Sequence, residues 1–251
     1  MAWPPRSPRR KQPVDQPSEK RSVPAINAPA VVVASLAAFV AVHLYRLTLS
    51  PEADTEFLLR FAFIPVRYVS MRDLGGVTFP GGLPADIWTF VTYGLIHGDW
   101  VHLAMNSLWM LAFGSVVARR MGTARFLAFN IACAAAGAAV MLWVLWGRPV
   151  PLIGASAAVS GQLAAAVRLM FGGGTIHAPA SMGQVLRDPR AVMFFGVWVG
   201  INLMFGLGAV SFGDTPGEIA WEAHLGGFAA GFLLFGVIDR FGRPQWPPAL
   251  R

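Results

Sequence analysis

Residues 100–118, WVHLAMNSLWMLAFGSVVA, are an uncharged apolar stretch with a histidine, His102, and an asparagine, Asn106, near its beginning. A hydrocarbon core of about 30 Å needs roughly 20 apolar residues per helix, so this stretch is long enough to cross a membrane. Polar side chains are costly inside a bilayer, and those that occur there are candidates for function. The stretch therefore predicts a transmembrane helix that carries part of a site.

The rest of the chain has the composition of a membrane protein. Of 251 residues, 55% are apolar and only 13% are charged, whereas soluble domains carry about 25% charged residues. This balance excludes a disordered, collagen-like or disulfide-stapled chain and argues against an ordinary soluble enzyme. The single cysteine, Cys133, cannot form an intrachain disulfide.

Six stretches reach spanning length and predict an all-α membrane protein. They are residues 25–45, 100–118, 126–146, 152–171, 191–210 and 219–238. Arg168 lies near one end of the fourth stretch, where its stem is expected to snorkel to the interface.

The remaining segments divide the chain into a membrane domain with two tails. Residues 1–24, rich in Pro, Arg and Lys, are expected to form a disordered basic tail. The membrane domain covers residues 25–238 and includes one long connection, 50–99, expected at the membrane interface. Residues 239–251 form a second short tail.

The distribution of Lys and Arg predicts the orientation in the membrane. With the N-terminus inside, fifteen of the twenty basic residues lie on the inner side and five on the outer side. This bias predicts an N-in, C-in topology, so the net charge of +7 is interpreted as topology and not as a nucleic-acid surface. We expect a multi-pass protein of a bacterial cell (inner) membrane.

Four polar residues fall at a similar depth in this topology. His102 and Asn106 in the second predicted helix, Ser156 in the fourth and His224 in the sixth all lie within the first two turns of helices that run from outside to inside. At 1.5 Å per residue, each is within about 10 Å of the outer surface. His102 and Asn106 are also four residues apart and share a helix face.

Small residues next to two of these groups predict a close contact between the fourth and sixth helices. Gly227 and Gly231 follow His224 at helical spacing, and alanines and Gly161 follow Ser156. A serine beside a neutral imidazole is an activated nucleophile with its base, and Asn or His side chains can stabilise an oxyanion. Taken one at a time, the same residues are more often helix-packing groups.

Three motifs resemble those of the rhomboid intramembrane serine proteases, over about residues 56–238. The H-x4-H-x3-N pattern is met by His97, His102 and Asn106, the G-x-S motif by Gly154 and Ser156, and the A-H-x-x-G-x-x-x-G pattern by Ala223, His224, Gly227 and Gly231. Their order along the chain, on the second, fourth and sixth helices, makes the resemblance specific.

The resemblance implies a six-helix bundle that cleaves transmembrane segments of other membrane proteins with a Ser–His dyad and without a metal or cofactor. Ser156 would be the nucleophile and His224 the general base, with His102 and Asn106 as oxyanion donors and Gly154 in the loop that exposes the serine. The protein partners expected are therefore transmembrane substrates within the lipid bilayer. The sequence departs from the family pattern at three positions, where it has Ala157, Ser160 and Thr89.

Two alternatives remain open at this point. The first is a catalytically inactive relative that binds transmembrane helices. The second is a haem protein ligated by His102 and His224, which a Soret band would reveal.

Trp221 is a candidate for the ring that packs on His224, and residues 211–217 are a candidate lid. His43 and His177 are expected to be bystanders.

Overall fold

The computed structural model describes residues 27–70, 76, 78–175, 178–206 and 220–239. Its helices, in chain order, are α1 (Ala30–Leu47), α2 (Pro51–Phe61), α3 (Gly82–Thr92), α4 (Trp100–Trp109), α5 (Ser115–Met121), α6 (Thr123–Val144), α7 (Ser156–Met170), α8 (Met182–Arg187), α9 (Pro189–Gly206) and α10 (Trp221–Asp239). Within these residues, the one strand-like pairing is an isolated antiparallel bridge between Phe63 and Leu152. The fold is all-α, as the sequence predicts.

Four of the described helical segments are long and apolar enough to cross a membrane: α1, the continuous helix Trp100–Met121, α6 and α10. The apolar part of α9 is shorter, Pro189–Met204, and α7 has 15 residues, nearly all of them buried. Each of the six predicted segments overlaps one of these helices, with ends that differ by up to five residues. The fourth begins at Ser156 and not at residue 152, because Leu152 pairs with Phe63.

Some predicted features lie outside the described residues. These are the tail 1–24, the tail 239–251 apart from Asp239, the proposed lid 211–217, and His177.

The connection between α1 and α4 contains two helices fastened together by one buried arginine. Arg67 lies in a 3-10 turn, Pro65–Tyr68. Its guanidinium donates to a carboxylate oxygen of Asp86 (2.7 Å), to the carbonyl of Leu59 (2.6 Å) and to that of Pro80 (2.6 Å). One side chain thus joins the end of α2, the start of α3 and the loop between them.

The helix Trp100–Met121 contains a π-helical turn, Met110–Gly114, between α4 and α5. A Cβ built on Gly114 would lie 2.8 Å from Oε1 of Gln162 in α7, so a larger residue at this position would collide with that side chain. Gln162 is fully buried and donates from Nε2 to Oδ1 of Asn130 in α6 (2.9 Å). The glycine at the turn lets α7 pack closely against this helix.

Small residues form the contact between α7 and α10, as the sequence predicts. A Cβ on Gly227 would overlap the backbone of Ala157, and a Cβ on Gly231 would overlap the backbone of Gly161. Residues larger than glycine would therefore push the two helices apart. The close approach holds the helix that begins at Ser156 against α10.

Buried charged side chains lie at or near the C-terminal ends of α5, α7 and α10 and join these helices. Arg120 makes two hydrogen bonds to Asp239, at 2.6 and 2.9 Å. Arg168 donates to the carbonyls of Ala180 and Phe232 and lies over the ring of Phe232. The prediction that Arg168 snorkels to the interface is wrong: it is buried, because backbone carbonyls and an aromatic face within the bundle replace its water.

Candidate active site

The first turns of α4 carry His102 and Asn106. Asp99 caps this helix by accepting a hydrogen bond from the backbone N–H of His102 (2.8 Å). Asn106, one turn later, donates from Nδ2 to the carbonyl of His102 (3.0 Å). An amide nitrogen carries two protons, so Asn106 keeps a second one for another acceptor.

A hydrogen bond from the loop before α4 determines which nitrogen of the neutral His102 ring carries the proton. The backbone N–H of Gly98 donates to Nδ1 of His102 (3.4 Å), so Nδ1 accepts. In a neutral imidazole the other nitrogen then carries the proton. Nε2 of His102 is therefore a hydrogen-bond donor.

Gly154 brings the loop before α7 against this donor. A Cβ built on Gly154 would lie 2.5 Å from Nε2 of His102 and 3.7 Å from Nδ2 of Asn106. The residue has φ +106°, a conformation that favours glycine. Its N–H donates to the carbonyl of Tyr93 (3.0 Å), which fixes the loop.

Ser156 is the first residue of α7, two positions after this glycine. The first four N–H groups of a helix have no partner within the helix, so the backbone N–H of Ser156 is a further available donor. Ser156, His102 and His224 are partly accessible, whereas Asn106 and Gly154 are buried.

His224 lies in the first turn of α10, and its neighbour Ala223 packs near the neighbour of Ser156. A Cβ built on Gly137 of α6 would lie 2.6 Å from Cβ of Ala157 and 2.7 Å from the carbonyl oxygen of Ala223. The helix starts that carry the serine and the histidine therefore meet at one glycine. His224 also lies within electrostatic range of His102.

Asn202 of α9, which the sequence did not single out, lies beside the candidate site residue His224. Nδ1 of His224 and Oδ1 of Asn202 are 2.6 Å apart, and Nδ2 of Asn202 donates to the carbonyl of Trp198 (2.8 Å). The signal was present, because an asparagine in an apolar helix meets the same criterion that singled out Asn106.

The three departures from the family pattern have structural accounts. The methyl group of Ala157 is accommodated because a glycine, Gly137, faces it. Ser160 donates to the carbonyl of Ser156 (2.8 Å), within its own helix. Thr89 is buried and bonds the carbonyl of Ala85 (2.7 Å).

His97 is fully buried behind His102, with the two rings edge to face and their centroids 5.2 Å apart. Its carbonyl lies 3.2 Å from Nδ1 of His43 and accepts a hydrogen bond from Arg46 (2.9 Å). His43, a buried histidine of α1, thus contacts the loop that leads into α4, and its role as a bystander to the chemistry stays a prediction.

Trp221, offered by the sequence as a ring beside His224, packs its indole against Gly206 at the end of α9. With Glu222 and Arg148 it lines a cavity of about 80 Å³ between the end of α6, the loop that follows it, the end of α9 and the start of α10. Among the described residues, no group of three or more His, Cys, Asp or Glu side chains is arranged to hold a metal ion.

Comparison with known proteins shows which family the chain resembles. The model of the Rhomboid domain matches residues 84–240. The chain is 28% identical to RHOMBOID-like protein 4 of Arabidopsis thaliana over 217 residues, which is 82% of this chain and 50% of the relative. It is 25% identical over 160 residues to uncharacterized proteins of Mycobacterium bovis and Mycobacterium tuberculosis, covering 59% of this chain and 57% of each relative.

The chain spans about half the length of these curated relatives. The Rhomboid match covers more than half of the chain and contains all eight residues predicted for the site: His97, His102, Asn106, Gly154, Ser156, His224, Gly227 and Gly231. The chain is a membrane protein of the rhomboid family.

Proposed function

We propose that this protein is an intramembrane serine endopeptidase that cleaves transmembrane segments of other membrane proteins. The observation that carries the proposal is the close approach of Gly154, two positions before Ser156, to the ring of His102: a Cβ at this glycine would lie 2.5 Å from Nε2 of His102 and 3.7 Å from Nδ2 of Asn106. Two side-chain N–H donors beside an accessible serine at a helix start are the elements of an oxyanion hole.

In the proposed reaction, Nε2 of His224 takes the proton of the Ser156 hydroxyl as Oγ forms a bond to the substrate carbonyl carbon. The carbonyl oxygen becomes an oxyanion, which accepts hydrogen bonds from His102, Asn106 and the backbone N–H of Ser156. As the C–N bond breaks, His224 returns the proton to the leaving amine. Water, activated by the same histidine, then hydrolyses the acyl-enzyme.

The proposal includes a six-helix bundle in the N-in, C-in orientation, with the site near the outer surface. It is supported by the positions of His102, Asn106, Ser156 and His224, all within the first two turns of α4, α7 and α10. A shallow site gives water a short path to the acyl-enzyme, and Ser156 is partly accessible. Localisation in a bacterial inner membrane, with transmembrane proteins as substrates, is part of the same proposal.

The test is cleavage of a reporter transmembrane substrate by purified protein in liposomes. Ser156→Ala and His224→Ala are expected to remove detectable cleavage, and Asn106→Ala to reduce kcat by about 10²–10³, the typical cost of one oxyanion donor. Ser160→Ala is the matched control, because this serine bonds only its own helix backbone in the structure. Cleavage by the Ser156→Ala variant at the wild-type rate would exclude the proposal.

A catalytically inactive relative that binds transmembrane helices is the second candidate. It is favoured by Ser160, whose hydroxyl bonds the carbonyl of Ser156 where the family pattern has a ring that packs on the base. In that case wild type and Ser156→Ala would both bind the reporter helix, and neither would cleave it.

A further inference from the structure

The hydrogen bonds of Asn202 determine which nitrogen of the His224 ring carries the proton. Nδ2 of Asn202 donates to the carbonyl of Trp198 (2.8 Å), so the amide turns its oxygen toward the histidine. An amide oxygen only accepts hydrogen bonds, so Nδ1 of His224, 2.6 Å away, must be the donor. In the neutral ring Nε2 then carries the free lone pair.

This is the tautomer that a histidine base requires. In serine proteases with three-residue sites, a third group holds the base by its Nδ1–H and leaves Nε2 free for the serine. Asn202 makes the corresponding hydrogen bond here, from a different helix. Unlike a carboxylate it carries no charge, so it orients the ring while stabilising the imidazolium less than a carboxylate would.

Neither Ser160 of α7 nor Trp221 of α10 replaces this hydrogen bond to His224. Ser160 directs its hydroxyl to the carbonyl of Ser156. The indole of Trp221 is packed against Gly206. Asn202 is thus the side chain that the structure shows in hydrogen-bond contact with the ring of His224.

We propose that Asn202 is a positioning residue that holds His224 in the Nδ1–H tautomer with Nε2 free for Ser156. Its role in catalysis rests on the proposed function. α10 packs mainly along α6 and α7. The hydrogen bond from Asn202 links the proposed base on α10 to a further helix, α9. Displacement of α9 would release the ring.

The first test reads the tautomer directly and does not depend on activity. Full-length protein labelled with ¹⁵N-histidine is studied by NMR in detergent, with the His224 signals assigned by their loss in His224→Gln. Wild type is expected to show a protonated Nδ1 and an unprotonated Nε2, and Asn202→Leu a mixture of both tautomers. A protonated Nε2 in wild type, or an unchanged spectrum in Asn202→Leu, would overturn the proposal.

The second test measures the rate at which a fluorophosphonate probe labels Ser156, as a function of pH. Asn202→Leu is expected to lower the rate roughly 10- to 10²-fold, less than the roughly 10⁴-fold that a fixed wrong tautomer costs, because leucine leaves both tautomers accessible. Asn130→Leu is the matched control, since Asn130 pairs with Gln162 on another face of the bundle. A wild-type rate in Asn202→Leu would overturn the catalytic role.

Asn202→Asp separates positioning from a merely structural effect. A carboxylate keeps the acceptor but stabilises the imidazolium, so labelling is expected to persist at high pH while its acid limb moves up by about one unit or more. The other ionisable group within electrostatic range of the ring, His102, is unchanged in this variant. An acid limb that stays at the wild-type pH would contradict the proposal. If wild-type Ser156 is not labelled while the tautomer is as expected, the proposed function fails and the assignment of the hydrogen bond stands.

Discussion

Gly154 lies against the ring of His102, at a distance that leaves no room for a side chain. A Cβ at position 154 would approach Nε2 of His102 to 2.5 Å, and the backbone there has φ +106°. The loop that presents Ser156 is therefore compatible with glycine alone at this position. The same contact places Nε2 of His102, a potential oxyanion donor, against the loop that leads to the serine.

The first prediction is that Gly154→Ala inactivates the protein without unfolding it. The added methyl group forces either the loop or the His102 ring to move, so we expect kcat to fall at least about 10²-fold, as for loss of an oxyanion donor. Gly196→Ala is the control, because a Cβ at that glycine of α9 meets nothing within 4 Å. Equal kcat values for the Gly154→Ala and Gly196→Ala proteins would contradict the assignment of this contact.

The second prediction concerns the buried ion pair of Arg120 and Asp239. Removing one partner leaves an uncompensated buried charge, which costs about 3–5 kcal/mol, whereas replacing both by apolar residues is often nearly neutral. Arg120→Met and Asp239→Leu are each expected to destabilise the folded state strongly, and the double variant to recover most of the loss. Denaturant titration in detergent measures the three free energies of unfolding. Additive losses in the double variant would exclude the ion pair as their cause.

The third prediction is a loss of stability in acid that depends on His97. This residue lies in the loop between α3 and α4, where burial and, next, the nearby His102 lower its pKa from 6.5 to about 3, with smaller effects of His43 and Arg46. The folded state keeps the ring neutral where the unfolded chain binds a proton. Stability is therefore fully present above about pH 6.5 and falls as the pH drops from 6.5 toward 3.

Thermal unfolding between pH 7 and pH 4 tests the third prediction. The unfolding temperature of wild type is expected to fall across this range, and that of His97→Gln to fall less steeply, because the substituted amide does not titrate. Parallel curves for the two proteins would show that His97 does not contribute.

The fourth prediction concerns the movement of α9 that substrate entry would require. A Cβ built on Gly206 would lie 2.9 Å from Cβ of Trp221, which is closer than the Cβ–Cβ separation of about 3.5–4.5 Å in a disulfide, so the two positions can be bridged after a small outward shift of α9. Oxidised Gly206→Cys/Trp221→Cys protein is expected to lose cleavage of a transmembrane substrate but to keep labelling of Ser156 by a small probe. Reduction should restore cleavage. The controls are the Gly206→Cys and Trp221→Cys single variants. Full cleavage by the cross-linked protein would rule out a need for α9 to move.

Local spacing made much of the bundle predictable. The pair His102 and Asn106, and the seam from His224 through Gly227 to Gly231, depend on residues three to seven positions apart, which helical periodicity places on one face or on neighbouring faces. The length and hydropathy of the apolar stretches located the helices within a few residues. Gly227 and Gly231 also predicted the contact of α10 with α7, because small residues mark close helix approach.

Features that depend on distant partners could not be predicted in this way. Asn202 meets His224 across 22 residues, and Arg67 bonds Asp86 across 19. The sequence predicts Arg168 at the interface because burying its charge is costly. It does not reveal that the carbonyl of Phe232, 64 residues away, accepts a hydrogen bond from this side chain. The π-helical turn at Gly114 has no periodic signal, since the glycine matters through its contact with Gln162.

The most direct test of the central claim is the site of covalent attachment of a fluorophosphonate to the purified protein, mapped by peptide mass spectrometry. The account predicts one adduct, on Ser156, that is absent in Ser156→Ala and in His224→Ala and present in Ser160→Ala. Failure of wild type to form an adduct, or an adduct on Ser160 with Ser156 unmodified, would contradict the assignment of Ser156 as the nucleophile.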